Sequence, residues 1–314
     1  MSDLSSDRND APDTVTTTST TLEYVTMPRS AWTRRLGAAF RCVVFIALTI
    51  LPLSVVILLA GIREPQNRYI SPGLAILSEG ALLISVLIST AIMALIERRS
   101  VWSYGLSDPR AFQRFLYGVF WGIVLPSILV GGLAATGHLV TKPALFRFWD
   151  ILTYGCGWTT AFFIVGMAEE TLFRGYLQIT LVRLIGFWPA ALFLSIAFGL
   201  AHLSNLETSP LSIVAAGLLG LILSLCLQLS GSLWWGIGLH TAWDWTQSFL
   251  YGTSSNGYYV EGHLLQSQPI GDPRWSGGQA GPEASALILP ILALTIVIVR
   301  LSFRGTRLPA PREV

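Results

Sequence analysis

The sequence predicts an all-α fold, a polytopic membrane helix bundle of about eight transmembrane helices, on three observations. Charged residues make up only 12% of the chain and hydrophobic ones 52%, where a soluble domain carries roughly 25% charged residues. The apolar residues are gathered into runs of the length, about 20 residues, that a helix needs to cross a bilayer. Lysines and arginines are divided unevenly between alternate connections, as membrane orientation requires. The net charge of +2 carries no information about acidic partners, and nucleic acid is not expected as one.

Residues 1–30 are rich in Ser, Thr and Asp, with the run TVTTTSTT, and hold too few apolar residues to pack. They lack the charged-then-apolar start of a secretory signal, so a disordered cytoplasmic tail is expected. Apolar runs follow at 38–62, 70–96, 115–140, 151–181, 188–204, 210–230, 232–251 and 284–301. The last four are short or broken by polar groups. The tight connection Leu229-Ser230-Gly231-Ser232 is expected to make the sixth and seventh runs an antiparallel pair. Residues from Gly252 to Pro282, full of Gly, Ser, Pro and aromatics, read as an ordered loop or re-entrant element that gates access to the interior. No internal repeat of the transporter kind is visible.

With eight spans, fourteen arginines fall on the side shared by both termini and five Lys or Arg on the other, Arg174 remaining within the membrane. That asymmetry places both ends in the cytoplasm, and a bacterial plasma membrane is the expected location. The three cysteines, Cys42, Cys156 and Cys226, lie in apolar runs without paired spacing and read as small buried residues.

The fourth run is interrupted by Glu169, Glu170 and Arg174. Each ionised group at the centre of a bilayer costs about 2.5–3.5 kcal/mol, so these three need partners. Glu170 and Arg174 are one helical turn apart on one face and can pair. Glu169 is offset by about 100° and left free. Two further runs carry ionisable groups: Phe198 and His202 at i and i+4 in AFGLAHL, and His240 and Asp244 at i and i+4 in GSLWWGIGLHTAWDW. At 1.5 Å per residue, Glu169 lies roughly 21 Å above Arg183 and His202 roughly 21 Å above Trp188, but His240 only roughly 12 Å beyond Ser232. If the three helices pack together, a free carboxylate beside an imidazole can take a proton from water and return it to a leaving amine. His240 and Asp244 would then position groups near a developing oxyanion. No Ser or Cys sits in a comparable arrangement, so water is the simplest nucleophile. The plainer readings stand beside this one: Glu170 with Arg174 as packing, His202 as a structural hydrogen bonder, Phe198 as core, and Trp234, Trp235, Trp243 and Trp245 as interface anchors.

Together these residues resemble the CAAX protease and bacteriocin-processing family, whose motifs EExxxR, FxxxH and HxxxN or HxxxD occur in that order. Here they are Glu169-Glu170 to Arg174, Phe198 to His202, and His240 to Asp244. The likeness covers about 149–251, more weakly 275–285, and residues 1–140 carry no motif. It divides the chain into a tail (1–30), N-terminal transmembrane helices (31–140), a catalytic transmembrane domain (141–303) and a second tail (304–314). The resemblance implies a glutamate-dependent intramembrane endopeptidase without a cofactor, acting in the lipid bilayer on a membrane-associated peptide or protein. By matching position, Glu169 would be the general base working with His202. His240 and Asp244 would be the oxyanion pair, and Glu170 and Arg174 would support the site. Eukaryotic prenyl proteases have Asn where this chain has Asp244, and an ionised Asp cannot donate a hydrogen bond. Three other readings remain open: zinc held by Glu169, His202, His240 and Asp244, a proton-coupled transporter, and a non-catalytic membrane scaffold.

Overall fold

The computed structural model describes residues 32–61, 68–145 and 147–305. The first tail, nearly all of the second, and Arg8, Arg29, Arg63, Arg307 and Arg312 lie outside the described residues. Each of the eight apolar runs contains a helix. The first three are α1 (Trp32–Ala60), α2 (Pro72–Glu97) and α3 (Ala111–Ala135). The fourth run is α4 (Phe148–Glu170) and α5 (Gln178–Ile185), joined through a π-helical turn at Thr171–Leu177. α6 (Phe187–Ala201) and α7 (Pro210–Ser230) follow, then α8 (Trp234–Asp244), which continues into a second π turn at Trp245–Leu250. A short α9 (Pro273–Ser276) precedes α10 (Ile288–Ser302).

Six of these segments are long and apolar enough to cross a membrane: Gly37–Leu59, Pro72–Glu97, Ala111–Ala135, Phe148–Ile185, Phe187–Ser204 and Pro210–Ser230. The expected eight is therefore a count of helices, because α8, with 11 residues before its π turn, and α10, with 15, are shorter. From Trp235 to Trp243 every residue of α8 is buried. A helix enclosed on all sides by protein need not match the bilayer's thickness.

The helix starts follow local chemistry. Ser71 caps α2 ahead of Pro72, and Ser209 with Ser212 forms a capping box on α7 ahead of Pro210. Proline suits the first helical position, where no intrahelical N–H bond is lost. The turn after α7 is closed by Gly231 in the left-handed region (φ 70°). α8 nevertheless leaves α7 and lies along α3 and α4, so the expected antiparallel pairing of the sixth and seventh runs is only a tight turn. The reason is close approach: a Cβ on Gly118 would collide with the Trp235 carbonyl oxygen, and one on Gly238 with that of Phe115. Small residues let helix backbones touch where no hydrophobic effect drives them together.

One buried cluster joins α3, α7, α8 and α10 around Leu125, Leu223, Trp235 and Ile291. A second joins α1, α2 and α5 around Phe45, Val86, Met93 and Ile179. Leu58, Leu59, Leu95 and Phe112 are exposed, as a helix surface facing hydrocarbon requires. Cys42 and Cys226 are buried as expected, but Cys156 is exposed on the outward side of α4.

The segment from Gly252 to Pro282 is ordered and stitched to two other connections. Its strand β3 (Tyr259–Val260) runs parallel to β1 (Tyr69–Ile70), between α1 and α2. Its strand β4 (Leu265–Pro269) runs antiparallel to β2 (Leu139–Pro143), between α3 and α4. The Trp158 indole donates to the Glu261 carbonyl oxygen at 2.7 Å. The result is a cap over one end of the bundle.

Candidate active site

The three motif helices meet α2 and the cap around a cavity of about 330 Å³. Glu169 on α4, Phe198 and His202 at the end of α6, and His240 and Asp244 on α8 all line it. Glu79 of α2, Asn205, Ser248 and Glu283 line it as well. A larger apolar groove of about 830 Å³ between α1 and α2 contains no titratable side chain.

Glu170 and Arg174 form the floor. Their ion pair is 3.0 Å long, and both side chains are only 1% exposed. The guanidinium carbon stands 4.3 Å from the centre of the Phe198 ring, so Phe198 receives a cation on its face as well as packing. Glu170 Oε1 is also 3.0 Å from His240 Nδ1. Because the same oxygen faces Arg174, the carboxylate accepts and Nδ1–H donates. The tautomer of His240 is thus held from the Glu170 side, and its Nε2 turns toward the cavity. There it lies 3.6 Å from Glu169 Oε2 and 3.7 Å from Asp244 Oδ2.

His202 is oriented differently. Its Nδ1 donates to the Phe198 carbonyl oxygen, one turn back, at 2.8 Å, which leaves its Nε2 as an acceptor. The imidazole nearest Glu169 is therefore that of His240, while His202 occupies the cavity wall. Glu169 keeps 23% side-chain exposure, and its Oε2 has no hydrogen-bond partner.

Both π turns start beside acidic site residues, one directly after Glu170 and the other directly after Asp244. A π turn breaks the regular ladder and re-aims the side chains around it, and such turns concentrate at functional sites. The first contains a non-helical residue, Gly175 (φ −72°, ψ −109°).

Sequence reasoning missed two carboxylates. Glu79 interrupts the second apolar run, so the rule that singled out Glu169 applied to it equally; its Oε2 also lacks a partner. Glu283 belongs to the loop after the third motif and offered no such signal. It accepts hydrogen bonds from the Trp243 indole and from Gln247 Nε2, the latter at 2.8 Å. Of the four tryptophans that could have been interface anchors, Trp235 and Trp243 are 1% exposed and so are core, while the half-buried Trp234 donates its indole N–H to the Leu106 carbonyl oxygen at 3.0 Å. Trp235 and Trp243 fill the space between α8 and its neighbours. Among the described residues, no group of three or more His, Cys, Asp or Glu is disposed to hold a metal ion.

Residues 151–246 match the family model described as type II CAAX prenyl endopeptidase Rce1-like. No curated protein matches the chain. The matched segment contains all three motifs, so the likeness read from seven residues extends over the helices that carry them. With six helices among the described residues long and apolar enough to cross a bilayer, the chain is an integral membrane protein whose residues 151–246 are similar to the Rce1-like CAAX protease family.

Proposed function

We propose that the chain is an intramembrane endopeptidase that hydrolyses a peptide bond of a membrane-associated peptide or protein with water activated by Glu169 and His202. The observation that carries this reading is the Glu169 carboxylate, which has no hydrogen-bond partner at Oε2, stands 3.6 Å from His240 Nε2 and lines a cavity of about 330 Å³ together with both histidines. A water bound there would lose a proton to Glu169 as its oxygen attacks the carbonyl carbon, with His202 Nε2 accepting the water's second hydrogen bond. The proton then passes to the amide nitrogen as the C–N bond breaks. His240, donating from Nδ1 to Glu170, acts as a cation when Nε2 is also protonated, and that N–H would donate to the developing oxyanion. Asp244, 3.7 Å from Nε2, favours this cation, a role open to an ionised carboxylate that cannot itself donate. The catalytic unit comprises residues 141–303, with α2 adding Glu79. The membrane is the plasma membrane of a bacterium, with both termini cytoplasmic.

The test is cleavage of a library of membrane-tethered peptides by purified protein, compared with Glu169→Gln and His202→Ala, each with and without a chelator. A loss of about 10²–10⁴-fold in each variant, without effect of chelation, is expected for acid–base catalysis. Loss on chelation restored by zinc would reassign Glu169, His202, His240 and Asp244 as ligands. Cleavage undiminished in Glu169→Gln would end the proposal.

A further inference from the structure

The cavity has a direction. The ends of the helices sort the chain's cations between two faces. Arg98, Arg99, Arg110, Arg183, Arg300 and Arg304 gather where α2, α5 and α10 end and α3 begins. Contacts hold that end together: Arg41 and Arg183 each stand 3.7 Å from Glu97, and Arg114 donates to the Ser230 carbonyl oxygen at 2.6 Å. The opposite end, the cap, has Arg68, Lys142, Arg147 and Arg274 among the described residues, against Asp150, Glu207, Glu261, Asp272 and Glu283. Excess Lys and Arg in short connections marks the cytoplasmic face.

The site lies toward the cap. Glu79 is seven residues from the cap end of α2, about 10 Å along the axis. His202 ends α6, about 22 Å from that helix's start at the arginine-rich end, and Glu169 is about 24 Å from Ile185. Cap residues Ser255, Asn256, Tyr258 and Val260 line the cavity. Toward the arginine-rich end the interior is filled. Tyr104 and Tyr176 are fully buried, their hydroxyls donating to Glu97 at 3.1 and 2.8 Å, and Leu177, Leu227 and Leu233 pack around them.

We infer that the cavity is entered from the face opposite the arginine-rich one, so that the substrate is a membrane-anchored polypeptide whose scissile segment has been carried across the membrane. The substrate class rests on the endopeptidase reading; the face does not. A translocated segment meets Glu169 from the cap side, between β3 and the end of α6, without passing the Glu97 cluster.

Single cysteines report the face. In a Cys156→Ser background, with the buried Cys42 and Cys226 retained, Ser255→Cys marks the cavity mouth, Gln268→Cys the cap and Ser100→Cys the arginine-rich end. A membrane-impermeant maleimide applied to right-side-out spheroplasts is expected to label Ser255→Cys and Gln268→Cys and to lose access to both in inverted vesicles, with Ser100→Cys showing the reverse. Labelling of Ser255→Cys only in inverted vesicles overturns the inference. In a second arm, one cleavable sequence is fused to single-span anchors of opposite orientation. Cleavage of the form displayed on the far side alone supports the proposal, and cleavage of the cytoplasmic form alone overturns it. If neither is cut while the cap cysteines label from outside, the endopeptidase reading fails and the direction of the cavity stands.

Discussion

Removing the charge of Glu170 with its shape kept, as Glu170→Gln, isolates what the buried ion pair contributes. Glu170 and Arg174 are each 1% exposed, and the carboxylate serves both Arg174 and His240 at 3.0 Å. Glutamine retains a carbonyl acceptor but leaves the guanidinium without its anion. Arg174 Nε and its second terminal nitrogen already lack hydrogen-bond partners, so the guanidinium has no alternative within reach except the Phe198 face. Breaking a buried pair by removing one partner costs about 3–5 kcal/mol, and the cation–π contact, worth about 2 kcal/mol when desolvated, already exists in the wild type and offsets nothing new. A loss of at least about 3 kcal/mol is therefore expected, a shift of over a hundredfold in the unfolding equilibrium. Reversible unfolding in mixed micelles, followed by the fluorescence of the 11 tryptophans, measures it. The double variant Glu170→Leu/Arg174→Met removes both charges and is expected to recover most of the stability, since replacing a whole buried pair by apolar groups is often neutral. A Glu170→Gln protein within about 1 kcal/mol of wild type would refute the reasoning, as exposed pairs contribute no more than that. So would a double variant as unstable as the single one.

Two further expectations use the same unfolding measurement. Tyr104 lies between α2 and α3, where burial first, and then the neighbouring Glu97, raise its pKa. A raised folded-state value contributes stability that is complete below the unfolded tyrosine pKa of about 10 and is lost as pH rises beyond it; stability should fall on that limb, and Tyr104→Phe should flatten it, whereas an unchanged limb would show that other groups control it. At the α3–α8 crossing, Gly118→Ala places a methyl group against the Trp235 carbonyl oxygen, while Gly131→Ala on the same helix meets nothing within 4 Å. Overpacking costs about 1–3 kcal/mol, so Gly118→Ala should lose at least that, and Gly131→Ala should be neutral or slightly stabilising.

How far the sequence could be read depended on whether a feature was local. The helices were legible because an apolar run of spanning length admits few other structures, and the Glu170–Arg174 pair because a helical turn fixes the distance between i and i+4. The orientation of His240 was not legible. Its spacing paired it with Asp244, which lies 3.7 Å from Nε2, but the shorter contact, at 3.0 Å, comes from Glu170, 70 residues away in sequence. Glu79 had a local signal, a lone acid in an apolar run. What obscured it was the absence of a motif around it. Glu283 is not in an apolar run and falls only within the weaker likeness at 275–285, and it reaches the cavity because the cap folds back over the end of α8.

By itself the sequence determined the class of the protein, the helices, the identity of the motif-bearing residues and the uneven division of cations between the two ends. These follow from hydrophobicity, periodicity and composition, which act over a few residues or over the whole chain at once. Only the tertiary structure decided that α8 abandons α7 for α3, because backbone contact at Gly118 and Gly238 depends on two helices meeting in register. It alone placed Glu79 and Glu283 beside Glu169 and sewed the cap to two distant connections through β1 and β2. Those arrangements depend on which surfaces fit against each other, and no pattern along a single helix encodes that.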